Sequence, residues 1–409
     1  MHIDLIPLKS AVICDEDTIL DVLIRVTPPA PEVARRPKLN LALVLDRSGS
    51  MGGHPLRLAV EAAKFAVRQL TPKDHLSVTI FDSTVQTVVP SRPVTQPDLI
   101  AAILDSIEAR GSTDLHGGWR AGAEQASAHR QQDTLNRVLL LTDGQANIGL
   151  TNPDAIASAV RGAVQNGVST SALGLGLHYN EQLLETMANA GDGNYFFVEH
   201  PDKLPEVFAA ELAGLSATLG HAVSLGIELG EGAQLVECLN DFERTDTKRF
   251  KLPNLLVGRP IEAVFRLRFP ARRRATVRAR LAWTAPGSAE RRVRRETLDL
   301  PATDGQTFAA LPEHPEVARK MAELHFARAQ REAALRLDRG NVAGARDVLT
   351  LARDNLSELG ARLSVNFAEE FGDIDALEER IEAGEHGSAS KLAKARSYEK
   401  RTSRRREGN

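Results

Sequence analysis

The stretch Leu41-Ala-Leu-Val-Leu-Asp46-Arg47-Ser48-Gly49-Ser50-Met51-Gly52 constrains this chain more than any other. An apolar run long enough for a strand buried on both faces stops at a carboxylate. Two hydroxyls follow at alternate positions, with a glycine between them that lets the loop turn tightly. A strand end of this kind offers hard oxygen donors within one short loop, the donor type that Mg²⁺ takes. The pattern alone is weak, because Asp, Ser and Gly also make ordinary turns.

Two later stretches strengthen it. Gly111-Ser112-Thr113-Asp114-Leu115 reads as a polar loop that opens a helix, and Val138-Leu-Leu-Leu-Thr142-Asp143-Gly144 reads as another buried strand ending in a carboxylate. On these three stretches the sequence resembles the von Willebrand factor type A (VWA) family and its metal-ion-dependent adhesion site. The family pattern asks for Asp-x-Ser-x-Ser, a distant Thr and a distant Asp, and those positions read here as Asp46, Ser48, Ser50, Thr113 and Asp143. Arg47 and Asp114 fall at variable positions of the pattern. The resemblance covers roughly Leu39 to Leu215. It implies that Ser48, Ser50 and Thr113 supply hydroxyl oxygens to a Mg²⁺ ion, with Mn²⁺ or Ca²⁺ as substitutes, while Asp46 and Asp143 act mostly through water.

From Leu39 onward strands and helices alternate, the pattern of a mainly parallel sheet covered on both faces. Strands are expected near 39–45, 76–81, 85–89, 138–141, 170–174 and 195–198. The second of that series is too close to the third for a helical crossover, so 85–89 should be an antiparallel edge strand. Helices are expected near 56–69, 97–108, 117–129, 153–166, 181–190 and 201–215. The fold class is therefore α/β, a Rossmann-like VWA domain over residues 37–216. Ligands on such sheets bind at the carboxyl ends of the strands, where the five residues fall.

The flanking regions read differently. Leu20, Val22, Ile24 and Val26 alternate against Asp21 and Arg25, which predicts a half-buried strand needing partners elsewhere. Residues 261–269 and 277–283 alternate in the same way, with Arg272–Arg274 as a basic turn between them. A β-sandwich over 217–305, completed by the N-terminal strands of 1–36, follows, with the VWA domain inserted in it. This layout resembles bacterial proteins of the family, and the inter-α-trypsin inhibitor heavy chains, in which a type A domain is joined to β-rich modules. Residues 312–384 carry helical stripes, Val317, Met321, Leu324 and Ala327 and then Ala345, Val348, Ala352, Leu356 and Leu359, giving a helical hairpin or small bundle with no further repeat. Residues 385–409 are polar and basic and are expected to lack structure.

The net charge of −3 excludes a global field for nucleic acid or anionic lipid. Cys14 and Cys238 are too few for a disulfide framework or a Cys₄ zinc site and read as buried thiols in strands. The start of the sequence lacks the features of a secretory signal, and no apolar run reaches membrane-spanning length, so the expected compartment is the cytoplasm. No Walker loop or His-Glu-x-x-His is present, and Gly174-Leu-Gly-Leu-His178 lacks the third glycine of a dinucleotide fingerprint. His116 is the one candidate base beside the proposed ion, and it reads more simply as a helix-start residue. The resulting expectation is a non-enzymatic module whose Mg²⁺ captures an Asp or Glu of a protein partner. The alternatives are an adaptor for a AAA+ ATPase and, from another class, a Mg²⁺-dependent hydrolase.

Overall fold

The structure is a computed structural model describing residues 1–30, 36–129, 134–245, 247–271, 274–286, 288 and 290–403. Strands β1 (His2–Pro7), β2 (Val12–Ile13) and β3 (Thr18–Thr27) come first. An alternating series follows: β4 (Lys38–Asp46), α1 (His54–Gln69), β5 (His75–Phe81), β6 (Val85–Pro93), α2 (Pro97–Asp105), α3 (Leu115–Ala128), β7 (Thr134–Thr142), α4 (Pro153–Gln165), β8 (Val168–Leu175), α5 (Glu181–Ala190), β9 (Asp192–Val198) and α6 (Leu204–Ser216). Strands then return as β10 (Thr218–Leu229), β11 (Gln234–Cys238), β12 (Phe250–Lys251), β13 (Leu255–Leu256), β14 (Ile261–Phe269), β15 (Arg274–Thr284) and β16 (Arg291–Thr303). Helices α7 (Gly305–Ala310), α8 (Pro315–Asp338), α9 (Val342–Leu363), α10 (Ala368–Glu382) and α11 (His386–Arg401) complete the described chain. No helix among the described residues is long and apolar enough to cross a membrane.

The described residues form two compact units, one within Val33–His221 and Ala285–Glu290, the other within Met1–Glu32, Ala222–Thr284 and Arg291–Asn409. In the first, the α/β unit, the sheet order is β6-β5-β4-β7-β8-β9, with every pair parallel except β5–β6. The continuous apolar run of β4 is explained by its central place: Leu39 and 41–45 are buried, with helices on both faces. The antiparallel edge strand β6 is as expected from its short connection. Strand order reverses between β4 and β7, because the chain leaves β4 for β5 on one side and later places β7 on the other. Loops leaving such a switch point diverge and open a crevice. Helix α3 lies close against this centre. A Cβ at Gly118 would come 2.5 Å from the Phe81 ring, and one at Gly122 would come 2.2 Å from Val44 Cγ2. Two helix-weakening glycines are thus the condition for α3, and the loop before it, to sit tight on β4 and β5.

The second unit, the sandwich unit, contains one sheet ordered β1-β3-β14-β11 and another ordered β12-β10-β15-β16-β2, with β13 beside β10. The partner that β3 requires is β14, paired antiparallel from Val26↔Ile261 to Thr18↔Phe269. Four expectations change here. Strand β3 is not half-buried. Leu23, on the same side as Asp21 and Arg25, packs with Val264, Val317 and Leu324 because α8 covers that face. The alternating strands 261–269 and 277–283 lie in different sheets, Arg274 is the first residue of β15, and Arg272 and Arg273 lie outside the described residues. Cys14 is exposed and Cys238 half-buried, and both are free, because each lies at or just beyond the end of a short strand.

The fourth change is at residues 385–409. Residues His386–Arg401 form α11 rather than an unstructured tail, while 404–409 lie outside the described residues. Its Ser388, Ala389, Ser390, Ala393 and Ser397 are buried, and small side chains of this kind let a helix approach its neighbours closely. Its basic residues are matched by acids of other helices: Lys394 pairs with Asp338 at 2.8 Å and Lys400 with Asp373 at 2.9 Å. A composition that reads as solvated is instead a polar helix stitched into a bundle whose core includes Phe326, Leu349, Leu356, Phe367, Ile374 and Leu377.

Candidate metal centre

Asp46 closes β4 and is fully buried. Its Oδ1 accepts the Ser48 N–H at 2.7 Å, which folds the loop back on the strand end, and its Oδ2 accepts the Thr142 hydroxyl at 2.5 Å. Thr142 is the last residue of β7, so this bond spans the switch point. Ser50 Oγ donates to Asp143 Oδ1 at 2.7 Å and lies 3.2 Å from Ser48 Oγ. Thr113 reaches the same place from the loop before α3. Its N–H donates to Asn147 Oδ1 at 2.9 Å, and its carbonyl accepts from the Asn147 and Ile148 N–H groups.

One position measures how closely these loops converge. A Cβ added at Gly144 would lie 3.1 Å from Thr113 Oγ1 and 3.7 Å from both Asp46 Oδ2 and Ser50 Oγ. The side chain that glycine omits, just past the end of β7, would therefore fill a space bordered by donors from the β4 end and loop and from the α3 loop, with Asp143 joined to it through Ser50. The donors are three hydroxyls and two carboxylates, all hard oxygens, which fits Mg²⁺ or a similar cation and does not fit a thiolate-seeking metal.

The electrostatics point the same way. Burial pushes the Asp46 carboxyl up to about 6, with Asp143 adding repulsion and the Thr142 and Ser48 bonds opposing the rise. Burial also raises Asp143, against the bond from Ser50 and the nearby His178. Two carboxylates held in a desolvated crevice are the arrangement that a divalent cation relieves.

Several supports escaped the sequence reading. Thr142 and Asn147 hold Asp46 and Thr113 in place. Arg47, read as a variable position, is buried and paired with Asp82 at 2.8 Å, and Arg110 Nε donates to the same carboxylate at 3.0 Å. Backbone bonds join the same groups: Arg47 N–H to Phe81 O, Arg110 N–H to Arg47 O, Asp114 N–H to Asp82 O and Gly49 N–H to Gly111 O. Asp82, at the end of β5, thus ties the metal loop to the loop that carries Thr113. The signal available was a third strand, Leu76–Phe81, also ending in Asp. Asp114 caps α3 by accepting the Gly117 N–H. His116 is half-buried, packs near Trp119 at 5.9 Å between ring centroids, and is lowered by burial and then Arg120.

Residues 40–210 match the family model of the von Willebrand factor type A domain. Among curated proteins, the chain is 30% identical over 194 residues to the Escherichia coli protein YfbK, covering 47% of this chain and 34% of that one. It is 32% identical over 185 residues to the Synechocystis protein sll0103, covering 45% and 43%. It is 29% identical over 162 residues to human inter-alpha-trypsin inhibitor heavy chain H3, covering 38% and 18%. The chain thus spans less than half the length of these relatives. Among solved structures, the ArnB paralog VWA2 of Sulfolobus acidocaldarius superposes with a TM-score of 0.65 at 16% identity, covering 98% of this chain and 97% of that one. A von Willebrand factor type A protein of Catenulispora acidiphila gives 0.67 at 15% identity, covering 90% and 91%. At such identities these structures speak for the fold, and they do so across both units. Residues 40–210 thus have the von Willebrand factor type A fold.

Proposed function

We propose that the crevice between β4 and β7 holds Mg²⁺ and binds an acidic side chain of a protein partner. The observation that carries this reading is the convergence of Thr113, Asp46 and Ser50 on the space beside Gly144. Ser48, Ser50 and Thr113 would ligate through their hydroxyls, and Asp46 and Asp143 would hold ligating water. When bound, the ion supplies an electron-poor coordination position for a carboxylate oxygen. The chain's own contribution is preorganisation: Asp82, Arg47 and Arg110 lock the loops, and Asn147 fixes Thr113. Neutral hydroxyl donors leave the cation's charge largely uncompensated, which favours an anionic ligand.

This is a binding site and not a catalytic one in our reading. Ser50 Oγ donates to Asp143 Oδ1 at 2.7 Å and lies 3.2 Å from Ser48 Oγ, with no paired base beside either hydroxyl among the bonds of the site, which suits them to ligand roles. Two free cysteines, one of them exposed, support a reducing, cytoplasmic compartment.

Calorimetry and thermal unfolding with Mg²⁺ and Mn²⁺ test the proposal. Metal should raise the melting temperature of the wild type by binding the folded state. A Mg²⁺-dependent pull-down should recover a partner that Asp46→Ala does not. Absence of heat and of stabilisation at millimolar metal would refute the metal site. Undiminished binding of the partner under chelation would refute its role in capture.

A further inference from the structure

Strand β16 carries Arg291, Arg292, Arg294 and Arg295 in an exposed run. One edge pairs with β15 throughout, from Thr284↔Arg291 to Arg274↔Pro301. The other edge meets a strand only at Ala302 and Thr303, opposite Val12 and Ile13 of β2. Among the described residues, 291–301 therefore present an unpaired backbone edge.

The face beside that edge is unusual. Arg280 stands directly opposite Arg295, so the two share a face. Arg249 and Arg295 repel Arg280, and Arg249 and Arg280 repel Arg291. Burial first, and then these neighbours, hold Arg280 and Arg291 below the usual arginine value, against Glu228 at Arg280. Arg280 Nη1 is buried without a hydrogen-bond partner. Arg274, by contrast, is held by Asp299 at 2.6 Å, and Arg291 donates to the Ala222 and Ala282 carbonyls and to Ser224 Oγ, which leaves Arg280 and Arg295 as the facing pair. Charges on an edge strand do guard against aggregation. A guard gains nothing, however, from a further arginine on the inner strand β15 pressed against arginine.

We propose that the β16 edge takes an extended acidic segment of a protein partner as an added strand, its backbone pairing with 291–299 and its carboxylates meeting Arg280 and Arg295. Same-face side chains of a strand recur every ~6.7 Å, so alternate acids of the guest keep step with the arginines of the host. An unpaired strand edge offers N–H and C=O groups that a peptide backbone can match. Nucleic acid would lack that pairing and would find no stacking platform, since Trp283 is buried. A membrane would find Val293 as the sole exposed large hydrophobic residue of the strand, too little to insert.

The test uses the full chain in chelator, which removes metal-dependent capture of carboxylates, and a labelled peptide of about ten residues alternating Glu and Thr. Fluorescence anisotropy at low salt should show binding that Arg295→Glu weakens at least ~10-fold, with a smaller loss for Arg280→Thr. Hydrogen exchange at 291–299 should slow when the peptide is added, a readout independent of the variants. A peptide of equal charge interrupted by proline should bind poorly, because it cannot pair as a strand. Equal binding of the proline peptide, preference for duplex DNA or anionic vesicles, indifference to Arg295→Glu, or unchanged exchange would each overturn the proposal.

Discussion

In the sheet built on β3 and β14, arginines stand opposite carboxylates: Arg25 faces Glu262 and Arg266 faces Asp21 in the strand register, and Arg268 reaches Asp17. In the sheet built on β15 and β16, Arg280 faces Arg295. Cross-strand pairs of opposite charge are each worth about 0.2–1 kcal/mol, and like charges directly opposite cost a similar amount. The first ladder therefore serves folding, since its charges are consumed within the sheet and α8 closes over them. The second leaves uncompensated charge that folding does not require. The metal centre follows the second logic with the sign reversed, gathering Asp46 and Asp143 in a crevice without a basic side chain bonded to either. Self-cancelling charge marks scaffold, and charge of one sign held together marks a surface waiting for its complement.

The sharpest way to break this contrast is at the metal centre. Asp46→Ala should lower Mg²⁺ affinity by at least ~100-fold in calorimetry while leaving the sandwich unit folded. Thr113→Ala should weaken partner capture more than metal binding, and the reverse order would remove Thr113 from the ligand set.

The next effect is one of pH. The folded Asp46 titrates at about 6, above its unfolded value near 4, so the folded state keeps a proton that the unfolded state loses between those values. The neutral carboxyl carries no burial penalty below pH ~4. Stability should then fall as pH rises through the window and level off above it, by up to about 3 kcal/mol relative to Asp46→Asn in chelator. Mg²⁺ should restore the loss at pH 7. A wild-type curve parallel to that of Asp46→Asn would show that the site does not hold its carboxylates under strain.

Smaller effects separate the two sheets. Asp21 is buried and bonded twice to Arg266, so Asp21→Ala should cost about 2 kcal/mol in denaturant unfolding of the sandwich unit. Arg280→Thr should change stability by no more than about 0.5 kcal/mol, or raise it, because it removes repulsion and an unmatched donor. Equal losses for the two variants would erase the distinction between scaffold and surface charge.

The α/β unit was legible because strands buried on both faces must be continuous apolar runs, and because the ligand-type residues sit where such runs stop. Asp46, Ser48, Ser50, Thr113 and Asp143, the ligand set that the family resemblance implies, lie in loops that meet beside Gly144. Their supports were not legible. Thr142 bonds Asp46 across 96 residues and Asn147 bonds Thr113 across 34, and single polar residues at such separations leave no periodicity. In the sandwich unit, alternation identified strands but not their neighbours. Nothing in the period of 261–269 and 277–283 says that consecutive strands change sheets, or that Leu23 meets a helix where Asp21 and Arg25 promised solvent. Helix α11 was missed because its buried face is serine, alanine and ion-paired lysine, a face that hydropathy counts as polar.

The late position of α11 has a consequence for the timing of assembly. Asn240 Nδ2 donates to the Arg401 carbonyl, and Ser403 Oγ donates to the Glu262 carbonyl, so residues from the middle and the far end of the chain close one structure that also needs β1 and β3. On a ribosome, β1 and β3 emerge well before β14 and must wait for it, and the unit is sealed only after Ser403 has been made. The α/β unit, drawn almost wholly from one continuous stretch, can be finished well before then. Nascent chains long enough for α6 to have cleared the exit tunnel, but too short for β14 to have done so, should therefore already resist protease across the α/β unit while β1 and β3 remain cleavable.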